Sequence, residues 1–187
     1  MPYGILIPAL WLVWALTWIV TSGQVKPIAR TADWQVQFAY RAPLWIAGIL
    51  LVRPHWPWPL DVQIIPQSDT DAAIGTLLTA LGLGFAVWAR LVLGRNWSSD
   101  VAVKQEHELI RSGPYALARH PIYTGISLAF VGTAVAIGDS RAFIAAAIAI
   151  ASFLYKLRLE ERVMRETFGA AYDDYARKVR ALIPFVV

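Results

Sequence analysis

Hydrophobic positions gather in five long runs separated by polar linkers. The first, Tyr3 to Val20, holds no charged residue. As a helix it is about 27 Å long, close to the ~30 Å core of a bilayer. No positive segment precedes it and no A-x-A site follows, so it reads as a transmembrane helix leaving at Thr21-Ser22-Gly23 rather than as a signal peptide. The second run, Phe38 to Val52, carries Arg41 and Pro43 near its start. Proline suits a first helical turn, which puts the start of the buried part near Ala42. His55-Trp56-Pro57-Trp58-Pro59 ends the run as an interfacial anchor. The third run, Ala72 to Leu93, follows Asp69 and Asp71, either of which can cap it, and carries Arg90 near its far end, where the side chain can snorkel to the surface.

The fourth run, Ile122 to Ile137, and the fifth, Ala142 to Leu157, are joined by Gly138-Asp139-Ser140-Arg141. Each spans only about 24 Å, so they predict a hairpin that just crosses. Gly125, Ala129, Gly132 and Ala136 share one face of the fourth; Ala142, Ala145, Ala149 and Ser152 share one face of the fifth. Small residues at that spacing let membrane helices approach closely. From Arg158 onward the chain is charged, with apolar residues at three- and four-residue steps; Gly169 divides this segment into two helices and Pro184 ends the second. The fold class is therefore all-α: a polytopic membrane protein with five transmembrane helices, a helix 4–5 hairpin and a C-terminal amphipathic segment. It reads as one domain, with a scaffold in residues 1–93 and a site-bearing half in 94–187.

Composition strengthens this reading. Of 187 residues, 57% are hydrophobic and only 16% charged, against about 45–50% and about 25% in soluble domains. Cys is 0, which removes disulfides, thiolate metal sites and cysteine nucleophiles. The net charge of +4 has a topological explanation and needs no nucleic-acid partner. With the N-terminus outside, all of the 17 Lys and Arg except Arg53 and Arg141 fall on the inner side. By the positive-inside rule, the loop after helix 3 and the C-terminal segment then meet at the cytoplasmic face.

The titratable residues collect in those two segments. The loop contains His107, Arg111, Tyr115, Arg119, His120 and Tyr123; Glu160 and Glu161 stand where the fifth run emerges. Pro121 suits the first position of a helix, which makes His120 its cap, and the N–H groups beyond can bind an anion. The histidines lack metal-ligand spacing, so no metal is expected.

Gly113-Pro114-Tyr115, Arg119-His120-Pro121-Ile122-Tyr123-Thr124-Gly125, a hydrophobic hairpin and then Glu160-Glu161 resemble the isoprenylcysteine carboxyl methyltransferases and their phospholipid methyltransferase relatives. His107-Glu108-Leu109, Phe168-Gly169, Tyr172 and Tyr175 continue the resemblance, which covers about Gly94 to Phe185. It implies a multi-pass membrane methyltransferase using S-adenosylmethionine, with its site on the cytoplasmic face and a lipophilic or prenylated acceptor drawn from the membrane lipid. His107, Leu109, Gly113, Tyr115, His120, Pro121, Tyr123, Gly125 and Glu160 are then the cofactor-binding set, and Arg119 and Glu161 the catalytic pair. A carboxylate acceptor needs no base, and Arg119 would hold it through a bidentate contact. An amine or thiol must lose a proton, to Glu161 or His107. Carboxyl O-methylation is favoured.

Two other readings set the terms of comparison. Membrane sterol reductases share a related turn and use NADPH, but they continue with an Arg-Asp-Glu run and a Cys-containing segment, where this chain has Leu159-Glu160-Glu161 and no Cys. A transport or accessory protein would carry ionisable groups within its helices; the centres of helices 1, 4 and 5 have none.

Overall fold

The computed structural model describes residues 3–23, 25–53, 55–104 and 108–182. These form six α-helices: α1 (Tyr3–Ser22), α2 (Trp34–Val52), α3 (Asp69–Leu93), α4 (Pro121–Ile137), α5 (Ser140–Phe168) and α6 (Ala170–Lys178). A two-stranded antiparallel sheet pairs β1 (Ile28–Thr31) with β2 (Ala102–Lys104), tying the α1–α2 linker to the loop after α3.

Three helical segments are long and apolar enough to cross a membrane: Gly4–Ser22, Asp69–Asn96 and Ser140–Phe168. α4 is a shorter apolar helix. Ile5, Leu12, Val13, Leu16 and Ile19 of α1 and Trp45 and Ile49 of α2 are exposed. A surface this apolar belongs in lipid rather than water. The protein is an integral membrane protein.

α2 starts a turn before its hydrophobic run, because Trp34, Gln35, Val36 and Gln37 are helical too. Pro43 therefore lies inside the helix rather than in its first turn. Near it, the Ser152 hydroxyl of α5 donates to the Tyr40 carbonyl at 2.5 Å. α3 is capped by Ser68, not by an aspartate; its hydroxyl accepts from the Asp71 N–H at 3.1 Å.

The stripes of small residues decide which helices pair, and they do not join α4 to α5. The α4 stripe packs on a matching stripe of α3. A Cβ added at Gly82 would stand 2.5 Å from the Gly125 carbonyl oxygen, and one added at Gly75 would stand 2.5 Å from that of Gly132. Thr79 lies between them, its hydroxyl donating to the Gly75 carbonyl at 2.8 Å. Trp11 of α1 donates from its indole to Thr133 of α4 at 3.0 Å, which fixes α1 on this pair. The α5 stripe of Ala142, Ala145, Ala149 and Ser152 is buried against α2, where Tyr40, Ala47 and Leu50 are buried in turn.

Two arginines close helix ends. Arg90 is buried and does not snorkel; it donates to the Gly94 carbonyl at 2.9 Å and to the Thr21 carbonyl at 2.6 Å, with its guanidinium over the Trp97 ring at 4.5 Å. One cation thus serves the C-terminal ends of both α1 and α3. At the opposite end of the bundle, buried Arg141 donates to the carbonyls of Leu50, Leu51 and Arg53 at the end of α2 and pairs with Asp139 at 2.8 Å. The α4–α5 turn has Gly138 at φ +78°, where an added Cβ would also stand 2.6 Å from the side-chain amides of Gln63 and Gln67.

α5 does not stop where its apolar run stops. It continues for three more turns, and Glu160 and Glu161 belong to this extension. Gly169, at φ +52°, breaks it as expected. α6 ends at Lys178, well before Pro184, which lies outside the described residues.

Candidate active site

The loop entering α4 is built from turn chemistry. Gly113, at φ +60°, opens a 3₁₀ turn over Gly113–Ala116. His120 is the residue before the helix and Pro121 its first position, where the missing N–H costs no hydrogen bond. The chain beyond α6 lies along this turn. The Arg119 N–H donates to the Arg180 carbonyl at 2.8 Å and the His120 N–H to that of Ala181 at 2.9 Å. The Thr124 hydroxyl reaches the Leu182 carbonyl at 2.7 Å, and the Tyr175 hydroxyl reaches that of Tyr115 at 2.5 Å.

Around the turn stands a compact ionic cluster. Arg119 donates from Nε to Glu161 Oε1 at 2.8 Å and from a terminal nitrogen to the same oxygen. Its other terminal nitrogen donates to the carbonyls of Ala176 and Val179 at 3.1 and 2.5 Å, closing the end of α6. The His120 ring lies between the carboxylates, Nδ1 3.5 Å from Glu160 and Nε2 3.4 Å from Glu161. Neither contact of Nε2 nor its surroundings gives it a well-aligned hydrogen bond, although the atom is buried. The Tyr123 hydroxyl donates to Glu160 at 2.6 Å. Its ring is stacked between those of His120 and Phe153, with centroids 5.6 and 5.1 Å apart and planes within 9° and 11°. Lys156 stands 3.8 Å from Glu160.

Burial works against a proton on His120, but the adjoining carboxylates of Glu160 and Glu161 outweigh it and raise the imidazole above its ordinary value. The ring lies between two carboxylates that favour its protonated form. Burial raises the Tyr115 phenol, and the negative charge of Glu160 adds to the effect. Burial also pushes Tyr175 up to about 12. These phenols are neutral donors at any physiological pH.

Beside the cluster opens a cavity of about 760 Å³, within the ~300–1,000 Å³ range of small-molecule sites. Arg119, His120, Tyr123, Lys156 and Glu160 line its polar end. Trp11, Trp14 and Trp18 of α1, Leu44 and Trp45 of α2 and Phe130 of α4 line its apolar wall.

The residues singled out from the sequence divide among these places. Leu109, Tyr115, His120, Pro121, Tyr123 and Glu160 line the cavity. His107 lies outside the described residues. Gly113 shapes the turn, where an added Cβ would meet Val92 and Trp88 at ordinary contact distance. Gly125 is in contact with α3, where an added Cβ would stand 2.5 Å from the Gly82 carbonyl oxygen, and it is not among the residues lining the cavity. The proposed catalytic pair, Arg119 and Glu161, lie against each other. Four of the five N–H donors of Arg119 are engaged by protein oxygens, leaving no fork for an acceptor. Glu161 is buried against Arg119, His120 and Arg165. Sequence reasoning missed Lys156, which served only as a topology signal, and the tryptophans of α1. The visible signal was a lone cation within an apolar run, one turn before Glu160.

Comparison with known proteins adds to this picture. Over 116 residues the chain is 31% identical to the "Probable protein-S-isoprenylcysteine O-methyltransferase" of Oryza sativa subsp. indica, covering 60% of this chain and 61% of that protein. Over 154 residues it is 28% identical to the "Methanethiol S-methyltransferase" of Pseudomonas deceptionensis, covering 74% of this chain and 56% of that one. The chain thus spans less than two thirds of the length of these relatives. The solved structure of a eukaryotic intramembrane Ras methyltransferase, an isoprenylcysteine carboxyl methyltransferase, shares the fold with a TM-score of 0.53 at 22% identity, over 98% of this chain and 52% of that one. A family model, phospholipid methyltransferase, matches residues 70–171. That match takes in α3, the histidine-proline turn, α4, α5 and the start of α6, more than half of the sequence, and the chain belongs to the phospholipid methyltransferase family.

Proposed function

We propose that the protein is a membrane methyltransferase that carries a methyl group from S-adenosylmethionine to the carboxylate of a lipid-tailed, prenylcysteine-type acceptor. The observation that carries this reading is the two-ended cavity: an ionic end at Glu160, His120 and Tyr123 runs into a tryptophan-lined wall between α1, α2 and α4. The names of the relatives supply the reaction class.

The residues present fit the cofactor. Among the described residues, Trp14 Nε1, His120 Nε2 and the Tyr172 hydroxyl are buried without hydrogen-bond partners, and all three side chains line the cavity. Buried polar atoms of this kind favour a ligand that is polar as well as aromatic. Glu160 would accept from the ammonium or the ribose hydroxyls, and Tyr115 and Tyr172 would flank the adenosine. The cofactor supplies a methyl group already activated by its sulfonium. The protein's part is to orient the acceptor and exclude water, which can contribute up to about 7–11 kcal/mol.

The placement of the histidine favours a carboxylate over a thiol. A thiol or amine acceptor needs a base, and both nitrogens of His120 already face carboxylates, Glu160 at 3.5 Å and Glu161 at 3.4 Å. Glu161 is engaged by Arg119. A carboxylate is nucleophilic without either. The thiol reading keeps one support, the resemblance to a methanethiol S-methyltransferase.

In this account α1 to α5 all cross the bilayer, with the N-terminus outside and the site cytoplasmic, as the Lys and Arg bias requires. Residues 1–187 form one domain whose cavity draws on both the scaffold helices and the C-terminal half. Ligand-induced thermal stabilisation tests the cofactor. S-adenosylhomocysteine should raise Tm and NADPH should not; the reverse result would favour a reductase. A reporter fused to the C-terminus should be active only in the cytoplasm.

A further inference from the structure

Among the described residues, four basic side chains line the cavity: Arg41, Arg119, His120 and Lys156. Arg119 and His120 are enclosed by protein oxygens, and the Arg41 side chain is 42% exposed. Arg119 is spread over Glu161 and two carbonyls. Arg41 is paired with Asp100. His120 lies between two carboxylates.

Lys156 differs. Its side chain is 11% exposed. Among the described residues its amine makes one hydrogen bond, to the Ser99 carbonyl at 2.8 Å. Its approach to Glu160, at 3.8 Å, is an ion pair without a hydrogen bond, and Glu160 is shared with Tyr123 and His120. The rings of Tyr40 and Tyr123 flank the ammonium at 5.0 and 5.6 Å and confine it without using its protons. An ammonium has three donors, so Lys156 brings a buried positive charge with unused hydrogen bonds to the cavity.

Its place along α5 says what those bonds are for. Phe153, Lys156 and Glu160 all line the cavity. Read along the helix, that face is apolar, then cationic, then anionic. Glu160 lies one turn beyond Lys156, about 6 Å along the axis, on the side assigned to the cofactor. Phe153 lies on the other side, toward the apolar wall.

We propose that Lys156 binds the anionic group of the acceptor and so selects lipid-tailed acceptors that carry one. This rests on the methyl-transfer reading. The acceptor's tail lies along Phe153 and the tryptophans, its anion accepts from the Lys156 ammonium, and the nucleophilic atom is held within a turn of Glu160. Arg119 was the sequence's candidate for this task; Lys156 is the cation that the fold leaves able to do it. The anion is a carboxylate or a phosphate, and the choice of acceptor in the test separates them.

The test uses the full chain in lipid nanodiscs, as wild type, Lys156→Met, Lys156→Gln and Lys156→Arg. The acceptors are N-acetyl-S-farnesylcysteine, phosphatidylethanolamine in the disc, and a long-chain alkanethiol without an anion. For each protein, kcat and KM are measured alongside S-adenosylhomocysteine affinity and Tm. The expected result is that the neutral variants raise KM for the anionic acceptor by about ten- to a hundredfold. They should leave S-adenosylhomocysteine affinity within about twofold, and Lys156→Arg should recover most of the loss. Transfer to the farnesylcysteine identifies the anion as a carboxylate; transfer to phosphatidylethanolamine identifies it as a phosphate. An unchanged KM in the neutral variants overturns the proposal while leaving the methyltransferase reading intact. So does a joint fall in Tm, cofactor affinity and transfer to every acceptor, which marks a purely structural lysine. A wild type that methylates only the thiol overturns it too. A wild type that neither binds S-adenosylhomocysteine nor transfers methyl overturns both readings.

Discussion

Arg119 joins three parts of the chain: the turn before α4, Glu161 on α5, and the carbonyls that end α6. A lysine there keeps the charge but not the fork. Arg119→Lys should lower stability by about 1–3 kcal/mol and expose residues 170–182 to protease, with a corresponding drop in Tm. Unchanged protection would show that the contacts are incidental. His120 gives a second prediction at this scale. Its folded value is raised above the ordinary ~6.5. Its contribution to stability is therefore fully present below about 6.5 and is lost as pH climbs through the raised value. Tm of the wild type should decline above neutral pH, and His120→Gln should be less stable at pH 6 with a flatter profile. A parallel pair of profiles would contradict this assignment.

At the scale of elements, the helices were legible because their hydrophobic runs are long. Their partners were not. The stripes of Gly125–Ala136 and Ala142–Ser152 announce close packing without naming the surface they meet. That information sits in Gly75, Thr79 and Gly82 of α3 and in Tyr40 and Ala47 of α2. Boundaries set by polar residues were missed for the same reason. α2 begins in a polar turn at Trp34, and α5 runs on through charged residues to Phe168, because helical hydrogen bonding does not stop where hydropathy does. The buried roles of Arg90 and Arg141 were equally hidden, since each serves carbonyls distant in sequence. Two glycines test the packing. Gly82→Ala forces a methyl against the backbone of α4 and should destabilise the protein by about 1–3 kcal/mol. Gly84→Ala, in the same helix with nothing within 4 Å, should be neutral or stabilising by about 0.5–1 kcal/mol. Equal effects on Tm would show that α3 and α4 are not in close contact.

At the scale of the whole molecule, the linker sheet, the ends of α1, α3 and α5 and the start of α4 converge on one end of the bundle, and the cavity opens there. The sequence revealed the polar half of this site through its histidine-proline turn and paired glutamates. It could not reveal that α1 and α2 supply the apolar wall, since a tryptophan facing lipid and one facing a cavity look alike in a hydrophobic run. Nor could it show how Arg119 is engaged, because the oxygens that hold it come from residues about forty to sixty positions away. The resulting arrangement is specific: α1 and α2 supply the tryptophan-lined wall of the cavity, α5 brings Lys156 and Glu160 to it, and the segment after α6 is hydrogen-bonded to the turn before α4.

The most direct test of this account is methyl transfer from radiolabelled S-adenosylmethionine to N-acetyl-S-farnesylcysteine by the purified protein, followed by mild base. The account predicts a labelled product that releases its label as methanol, the mark of a carboxyl ester. A base-stable product, or no transfer to any lipid-tailed carboxylate, would contradict it.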